Sequence, residues 1–363
     1  MARESTLLRV LGETERSYDT LQNYIQALPT SSQGTNECTP LSNGRRGELL
    51  LSYASNLLHD GQTSRAAQEF EAWQPLHLEQ PSRMELDIER QRHVMLARTR
   101  RNEGHFQEAL VSYEALFKDA YKENDSVSSP WQVQTISHLS DMYCEVGRPM
   151  ATLNILQPEL EKMYARNWET TPRGQNLRMC EAEALIRLGY FDMAQQRLHR
   201  LQTTFEEIPG PDMLTRTRCF RAFAGLARIA HMQQRWDVAY TRWHQTLTFL
   251  ETSGWRERRF NAAITLFSLA QVMCRLDQLD DARDTRKQAE ACLETDGRQY
   301  WLVGLGSYWY TFVTVPLGEI GPDPIELELE ERDFYGAAAR LYSSTPWAQA
   351  GAPFRETSGS SVS

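Results

Sequence analysis

The spacing of small residues constrains this chain more than any motif does. Ala54, Ala97, Ser140, Ala182, Ala227 and Ala270 recur at intervals of 43, 43, 42, 45 and 43 residues. A second series, Ala66, Ala109, Thr152, Ala194, Ala239 and Ala282, follows each of them by twelve. Seven residues past the first series stand Gly61, Gly104, Gly147 and Gly189, then Gln234 and Asp277. Glycine is the residue that most easily adopts the left-handed conformation ending a helix. Large apolar side chains recur two residues after this turn (Phe106, Phe191, Trp236, Leu279) and four after the second small residue (Phe70, Tyr113, Leu156, Leu198, Trp243). Those are helical spacings, not strand alternation. The unit is therefore a helix, a tight turn and an antiparallel helix, with a small residue on each where the backbones approach. One hairpin cannot bury both of its apolar faces, so six stack into a quasi-one-dimensional solenoid.

The pattern resembles the tetratricopeptide repeat, and the residues that carry the resemblance are clearest in the second unit: Leu96-Ala97, Gly104-His105-Phe106, Glu108-Ala109 and Tyr113. The fourth unit repeats it with Ala182, Gly189-Tyr190-Phe191 and Ala194, and the fifth with Leu226-Ala227, Trp236, Ala239 and Trp243. The standard period of that family is about 34 residues, so helices longer by a turn or more are expected here; HEAT and armadillo repeats, with periods of about 40–47, are the second reading. The third and sixth units are degenerate: Thr152 and Pro149 are expected to weaken the third second helix, and Arg286 replaces the sixth aromatic. The resemblance implies an all-α fold, a right-handed superhelical solenoid of about six hairpins with N- and C-terminal capping helices.

The expected organisation is an N-terminal helix and linker over 1–44, the repeat array over 45–296, an aromatic capping helix over 297–318, and an acidic segment with a mostly disordered tail over 319–363. The first helix is marked by an apolar stripe from Leu7 to Leu28, and the linker by the Pro, Ser, Thr, Gly and Asn of 29–43. Residues 299–318 carry no charge and include Tyr300, Trp301, Tyr308, Trp309, Tyr310 and Phe312. Gly304, Gly306, Pro316 and Gly318 interrupt that run and no basic cluster flanks it, which favours a buried cap over a membrane span. After it come Glu326, Glu328, Glu330, Glu331 and Asp333.

A formal net charge of −9 over 363 residues argues against a dedicated nucleic-acid binder. The basic side chains are unusual in kind: of 39, only Lys118, Lys122, Lys162 and Lys287 are lysine. Six cysteines without a C-x-x-C pair read as reduced thiols. The N-terminus has no apolar signal core and is not acid-poor, so a cytoplasmic or nuclear location is expected.

Chemistry is nearly absent. Asp280, Asp281 and Asp284 spell D-D-x-x-D, the pattern with which class I terpene synthases hold Mg²⁺ and a diphosphate. Ala282 inside it is the small residue of the sixth repeat, and acids at a helix start complement the dipole. The second metal motif is missing, since Gln132 stands where Asn124-Asp125 and Ser128 would require Glu. No H-E-x-x-H, G-x-S-x-G, Walker loop or G-x-G-x-x-G occurs, and no cofactor or metal is expected. His59, His231 and His244 read as helix-surface residues.

The resemblance implies that partners bind along a concave face lined by the first helices. Counting the small residue as position eight, positions two, five, nine, twelve and thirteen line it. They include Arg98, Arg101 and Asn102 of the second unit, Arg187 of the fourth, Arg221, Arg228 and His231 of the fifth, and Arg275 of the sixth. Asp141 and Glu145 of the third unit break the basic trend. The expected function is a non-catalytic protein-interaction scaffold or subunit of a larger assembly, binding a protein or peptide segment of acidic character, with neither nucleic acid nor membrane as partner. The competing account of the arginines is pairing with Glu and Asp of neighbouring helices. Other classes kept open are an accessory protein of a small-molecule pathway, with a pocket near Met179 and Phe267, and a Mg-dependent diphosphate enzyme using the three aspartates. The acidic segment 326–333 has the charge to occupy such a groove itself.

Overall fold

The computed structural model describes residues 8, 14–27, 40–59, 62–76, 79–102, 105–122, 130–145, 148–206, 213–252 and 258–294. These hold thirteen helices and no strand. Helix α1 (Thr14–Ala27) precedes six hairpins: α2 (Pro40–His59) with α3 (Thr63–Glu71), α4 (Arg83–Asn102) with α5 (Phe106–Lys122), α6 (Pro130–Glu145) with α7 (Pro149–Ala165), α8 (Pro172–Arg187) with α9 (Phe191–Glu206), α10 (Met213–Met232) with α11 (Trp236–Thr252), and α12 (Arg258–Arg275) with α13 (Leu279–Glu294). The aromatic stretch 297–318, the acidic segment and tail 319–363, and residues 28–39 of the linker lie outside the described residues. Pro40 already starts α2, so the last part of the stretch read as linker is the first turn of a helix.

All twelve members of the two small-residue series are buried. The turn between them is built the same way six times. The residue eight past the first small residue donates its N–H back to the carbonyl five residues earlier: Gln62 to Leu57, His105 to Arg100, Arg148 to Tyr143, Tyr190 to Leu185, Arg235 to Ala230 and Gln278 to Met273, all within 2.7–3.0 Å. Its own carbonyl then accepts from the second small residue, as in Ala66 to Gln62 at 2.8 Å and Ala239 to Arg235 at 2.8 Å. One residue thus closes the first helix by a Schellman-type bond and opens the second. In the fourth, fifth and sixth hairpins, where the residue before it is described, that residue is left-handed: Gly189 (φ 78°), Gln234 (φ 56°) and Asp277 (φ 61°).

The third hairpin is less degenerate than its sequence suggests. Pro149 occupies the first turn of α7, where its missing N–H costs nothing. The Thr152 hydroxyl donates to Ser140 O at 2.9 Å, joining the two small positions across the crossing. In the sixth hairpin Arg286 is buried and donates to Glu290 at 3.1 Å.

Successive hairpins stack unevenly. Each second helix packs on the following first helix, and α2, α4, α6, α8 and α10 also pack on one another in order, whereas successive second helices do not pack comparably. The row of first helices is therefore the tighter side, and the array bends with that row on its concave face. At the N-terminal end α1 covers the first hairpin: Asn56 Nδ2 donates to Ser17 Oγ at 2.7 Å, Tyr18 meets Tyr53 edge-on at 5.7 Å, and Leu21 joins Leu57 and Phe70 in the core. The entry into α4 is a capping box: Ser82 Oγ accepts from Glu85 N at 3.3 Å while Glu85 accepts from Ser82 N at 3.1 Å. Glu85 also accepts from Asn43 at 2.8 Å and from Leu76 N at 3.0 Å. Burial alone would raise its pKa, but those bonds to the charged form win and hold it at about 2.

The left-handed turns give a direct test. Gln234→Gly and Asp277→Gly are expected to raise stability in chemical denaturation by about 1 kcal/mol each, the cost of a side chain in that conformation. Gly189→Ala is expected to lose a similar amount even though a Cβ there meets no atom within 4 Å, because the backbone angle, not crowding, sets the cost.

Candidate partner-binding groove

Position nine of each repeat follows the buried small residue on the first helix and turns toward the concave side. There the array carries Arg98, Asp141, Glu183 and Arg228 in successive units, two acids flanked by two arginines. Arg228, only 1% exposed, places Nη1 at 2.9 and 2.8 Å from the two oxygens of Glu183. Arg187, one turn along α8 from Glu183, adds a bond from Nε at 2.6 Å and reaches back with Nη1 to Cys144 O at 2.8 Å, satisfying a carbonyl at the end of α6. Burial by itself would raise the Glu183 pKa; the Arg228 and Arg187 guanidinium groups outweigh it and hold the carboxyl at about 2.

Asp141 is the second meeting point. Arg221 Nη2 reaches it at 3.0 Å from two hairpins away, passing over α8, and Arg101 Nη1 lies 4.0 Å from its other oxygen. Only a strongly curved inner face lets α10 touch α6. Beside it His138 stacks on Tyr113 at 5.5 Å. Burial, joined by the nearby Arg98, Arg101 and Arg221 charges, pushes its pKa down to about 3, with Asp141 opposing. Burial likewise lifts Cys144 to about 12 and Cys180 well above its ordinary value, so both thiols are held protonated and unreactive.

The sequence-derived groove residues therefore divide. Arg101 and Arg221 meet at Asp141 and Arg187 and Arg228 at Glu183, so the pairing of arginines with acids of neighbouring helices is realised for Arg101, Arg221 and Arg228, while Arg187 pairs within its own helix. Asp141, which broke the basic trend in the sequence, organises it in space. His231 is a correction: it is buried, not on the helix surface. Its Nδ1 accepts from Trp243 Nε1 at 3.3 Å and its ring meets Trp236 edge-on at 5.4 Å. Position twelve lies one helical turn beyond position eight and so shares the face turned to the paired helix. Cys144, also at position twelve, shows the same direction, with Sγ 3.4 Å from Thr152 Oγ1. Burial, with help from Arg275, lowers the His231 pKa to about 4. The Asn102 side chain lies outside what the structure describes.

The alternatives leave little trace. Asp280 pairs with Arg283 at 2.9 Å and Asp284 with Lys287 at 3.1 Å, both on the exposed face of α13. Among the described residues no three His, Cys, Asp or Glu side chains are grouped to hold a metal ion, and no helix is long and apolar enough to cross a membrane. The crevice lined by Met179, Ile186, Leu198, Gly225 and the Glu183 and Arg228 pair encloses about 20 Å³, room for about one water and far below the size of a metabolite pocket.

No sequence-family model matches the chain, and no curated protein matches it by sequence. By fold it is similar to Rap protein complexed with Competence and Sporulation Factor, with a TM-score of 0.60 and 14% identity over 94% of this chain and 88% of that one. It is also similar to NprR in complex with its cognate peptide NprX, with a TM-score of 0.56 and 12% identity over 95% and 93% of the two chains. The fold is a tetratricopeptide-like helical-repeat solenoid.

Two measurements test the electrostatics. Glu183→Ala leaves Arg228 buried without its carboxylate and is expected to cost about 3–5 kcal/mol, read as a lower denaturation midpoint. Acidification tests the imidazoles. The unfolded chain binds protons on histidine near pH 6.5, whereas the fold keeps His231 neutral down to about 4 and His138 to about 3. Stability is thus complete above pH 6.5 and falls as pH drops toward 4, by up to about 1.4 kcal/mol per pH unit for each imidazole. Glu183 adds a second loss between about pH 4.5 and 2. His231→Gln is expected to flatten the first slope, followed by thermal melts across pH 7–4.5.

Proposed function

We propose that this chain is a non-catalytic interaction scaffold that holds an acidic segment of a partner protein along the concave row of first helices. The observation that carries the reading is the gathering of guanidinium groups on that face: among the described residues Arg187 and Arg228 meet Glu183, Arg101 and Arg221 meet Asp141, and Arg98 lies close enough to His138 to act on its charge. Arg228 and Arg187 are fixed on Glu183 and form the floor. Arg98, Arg101 and Arg221 around Asp141 are only partly buried and form the rim. Guanidinium groups fit carboxylates in bidentate geometry, which a lysine-rich groove would not match. The structural likeness to NprR in complex with its cognate peptide supports the choice of a peptide-like ligand. With no reactive thiol at the site and a crevice the size of one water, the face has the properties of a docking surface.

Fluorescence anisotropy with labelled hexaglutamate and hexalysine peptides checks this. The full chain is expected to bind hexaglutamate and not hexalysine, with affinity falling as salt rises. Arg98→Gln with Arg101→Gln is expected to weaken hexaglutamate binding at least fivefold while leaving the melting temperature nearly unchanged. Equal binding of the two peptides, or binding indifferent to the double substitution, would sink the proposal.

A further inference from the structure

Nine large apolar side chains are exposed among the described residues, and they are unevenly placed. Tyr164 and Trp168 are each covered on the ring by a guanidinium, from Arg178 at 5.6 Å and from Arg166 at 4.9 Å. Tyr24, Leu76 and Val111 come one each from α1, from the connection after α3 and from α5. The other four, Met150, Tyr190, Met193 and Val238, are 43–54% exposed and share one location. Tyr190 is the doubly bonded turn residue of the fourth hairpin, and the remaining three stand in the first turns of α7, α9 and α11. A single exposed apolar side chain is ordinary on a protein surface. Four at equivalent places in three consecutive repeats make a row along the turn edge of the solenoid, and a contiguous apolar patch rimmed by charge is the mark of an interaction surface.

The row is held rigidly. The Tyr190 N–H donates to Leu185 O at 2.9 Å and its carbonyl accepts from Ala194 N at 3.0 Å, while the Arg235 N–H donates to Ala230 O at 3.0 Å. Residues at one repeat position therefore project at the regular spacing of the stacked hairpins. From the third hairpin to the sixth, the doubly bonded position holds Arg148, Tyr190, Arg235 and Gln278, and the position two residues on holds Met150, Asp192, Asp237 and Asp280, all exposed. One end of the row is thus basic at Arg148, and the other is acidic at Asp280 and the exposed Asp281. Asp280 has Arg283 at 2.9 Å, but its carboxylate is 97% exposed, and such a surface pair is worth little.

A row with unlike ends complements a reversed copy of itself. Turned about a two-fold axis between the fourth and fifth hairpins, the third hairpin meets the sixth and the fourth meets the fifth. Arg148 then comes opposite Asp280, Arg235 opposite Asp192, and Tyr190 and Met193 opposite Val238. Both ion pairs join the same two repeat positions, so one register satisfies both, and each contact occurs twice, as an isologous interface requires. The apolar side chains fall at the centre and the charges at the rim, the usual anatomy of an interface. Rows running the same way would instead set Arg148 on Arg148 and Asp280 on Asp280, which repel.

We infer that the chain forms an antiparallel two-fold homodimer through the turn edge of its third to sixth hairpins. The concave row of first helices is not part of that edge, so the inference is independent of the acidic-partner reading, and hexaglutamate binding can fail without touching it.

Sedimentation velocity on the full chain tests it. A reversible monomer–dimer equilibrium is expected between about 1 and 100 µM. Met193→Asp is expected to raise the dissociation constant at least tenfold; aspartate suits the first turn of a helix, so the melting temperature of the dilute chain should stay as it is, and Val238→Asp repeats the measurement from the other side of the axis. Arg148→Asp and Asp280→Arg are each expected to weaken the dimer at least fivefold, whereas the two substitutions in one chain restore it to within about threefold of the unmodified protein, since the exchanged charges again face each other. A chain that stays monomeric overturns the inference. So does a dimer indifferent to both apolar substitutions, which moves the interface to another face, and so does a double charge variant no tighter than the single ones, which removes the antiparallel register.

Discussion

Everything in this molecule depends on how closely two helices cross at a pair of small residues. Ala, Ser or Thr at both crossing positions lets the backbones approach, and twelve such positions are buried without exception. A close crossing leaves little room for the connection, which is why every turn uses the same doubly bonded residue and why the residue before it must be left-handed. The constraint also explains Thr152. A hydroxyl is tolerated at a crossing only if it finds a partner there, and the carbonyl of Ser140 supplies it.

A second layer of order comes from charge. Because each repeat presents position nine to the same inner row, a sign change between units becomes a contact in space. Asp141 and Glu183 therefore act as keystones for arginines drawn from α4, from α10 and from α8 itself. The pairs are partly buried, so their value lies less in net stability than in fixing the register of one hairpin on the next. Removing a carboxylate is costly because a guanidinium would be stranded. The same pairing gathers the guanidinium groups of three first helices on one face.

Much of this was legible in the residues. The two small-residue series and the turn position located six hairpins, and helical spacing around them gave the core side of each helix. The arginines at the groove positions were found by counting as well. The direction of position twelve was missed, although the signal was present: it stands one helical turn from position eight, so His231 had to face Trp243 and the paired helix. The capping box of Ser82 and Glu85 was also readable from the S-x-x-E spacing. Pro149 was misjudged because a proline that would break a helix interior is favourable in its first turn.

The sequence by itself determined the unit and its repetition, since steric demand at a crossing and the left-handed turn act over a dozen residues and leave a local, periodic mark. Tertiary structure alone decided which charges meet. Arg221 and Asp141 are 80 residues apart, and their contact depends on the curvature accumulated over three stacked hairpins. That curvature is the sum of small packing differences between first and second helices, which no local pattern encodes. It brings arginines scattered along the sequence together on one face.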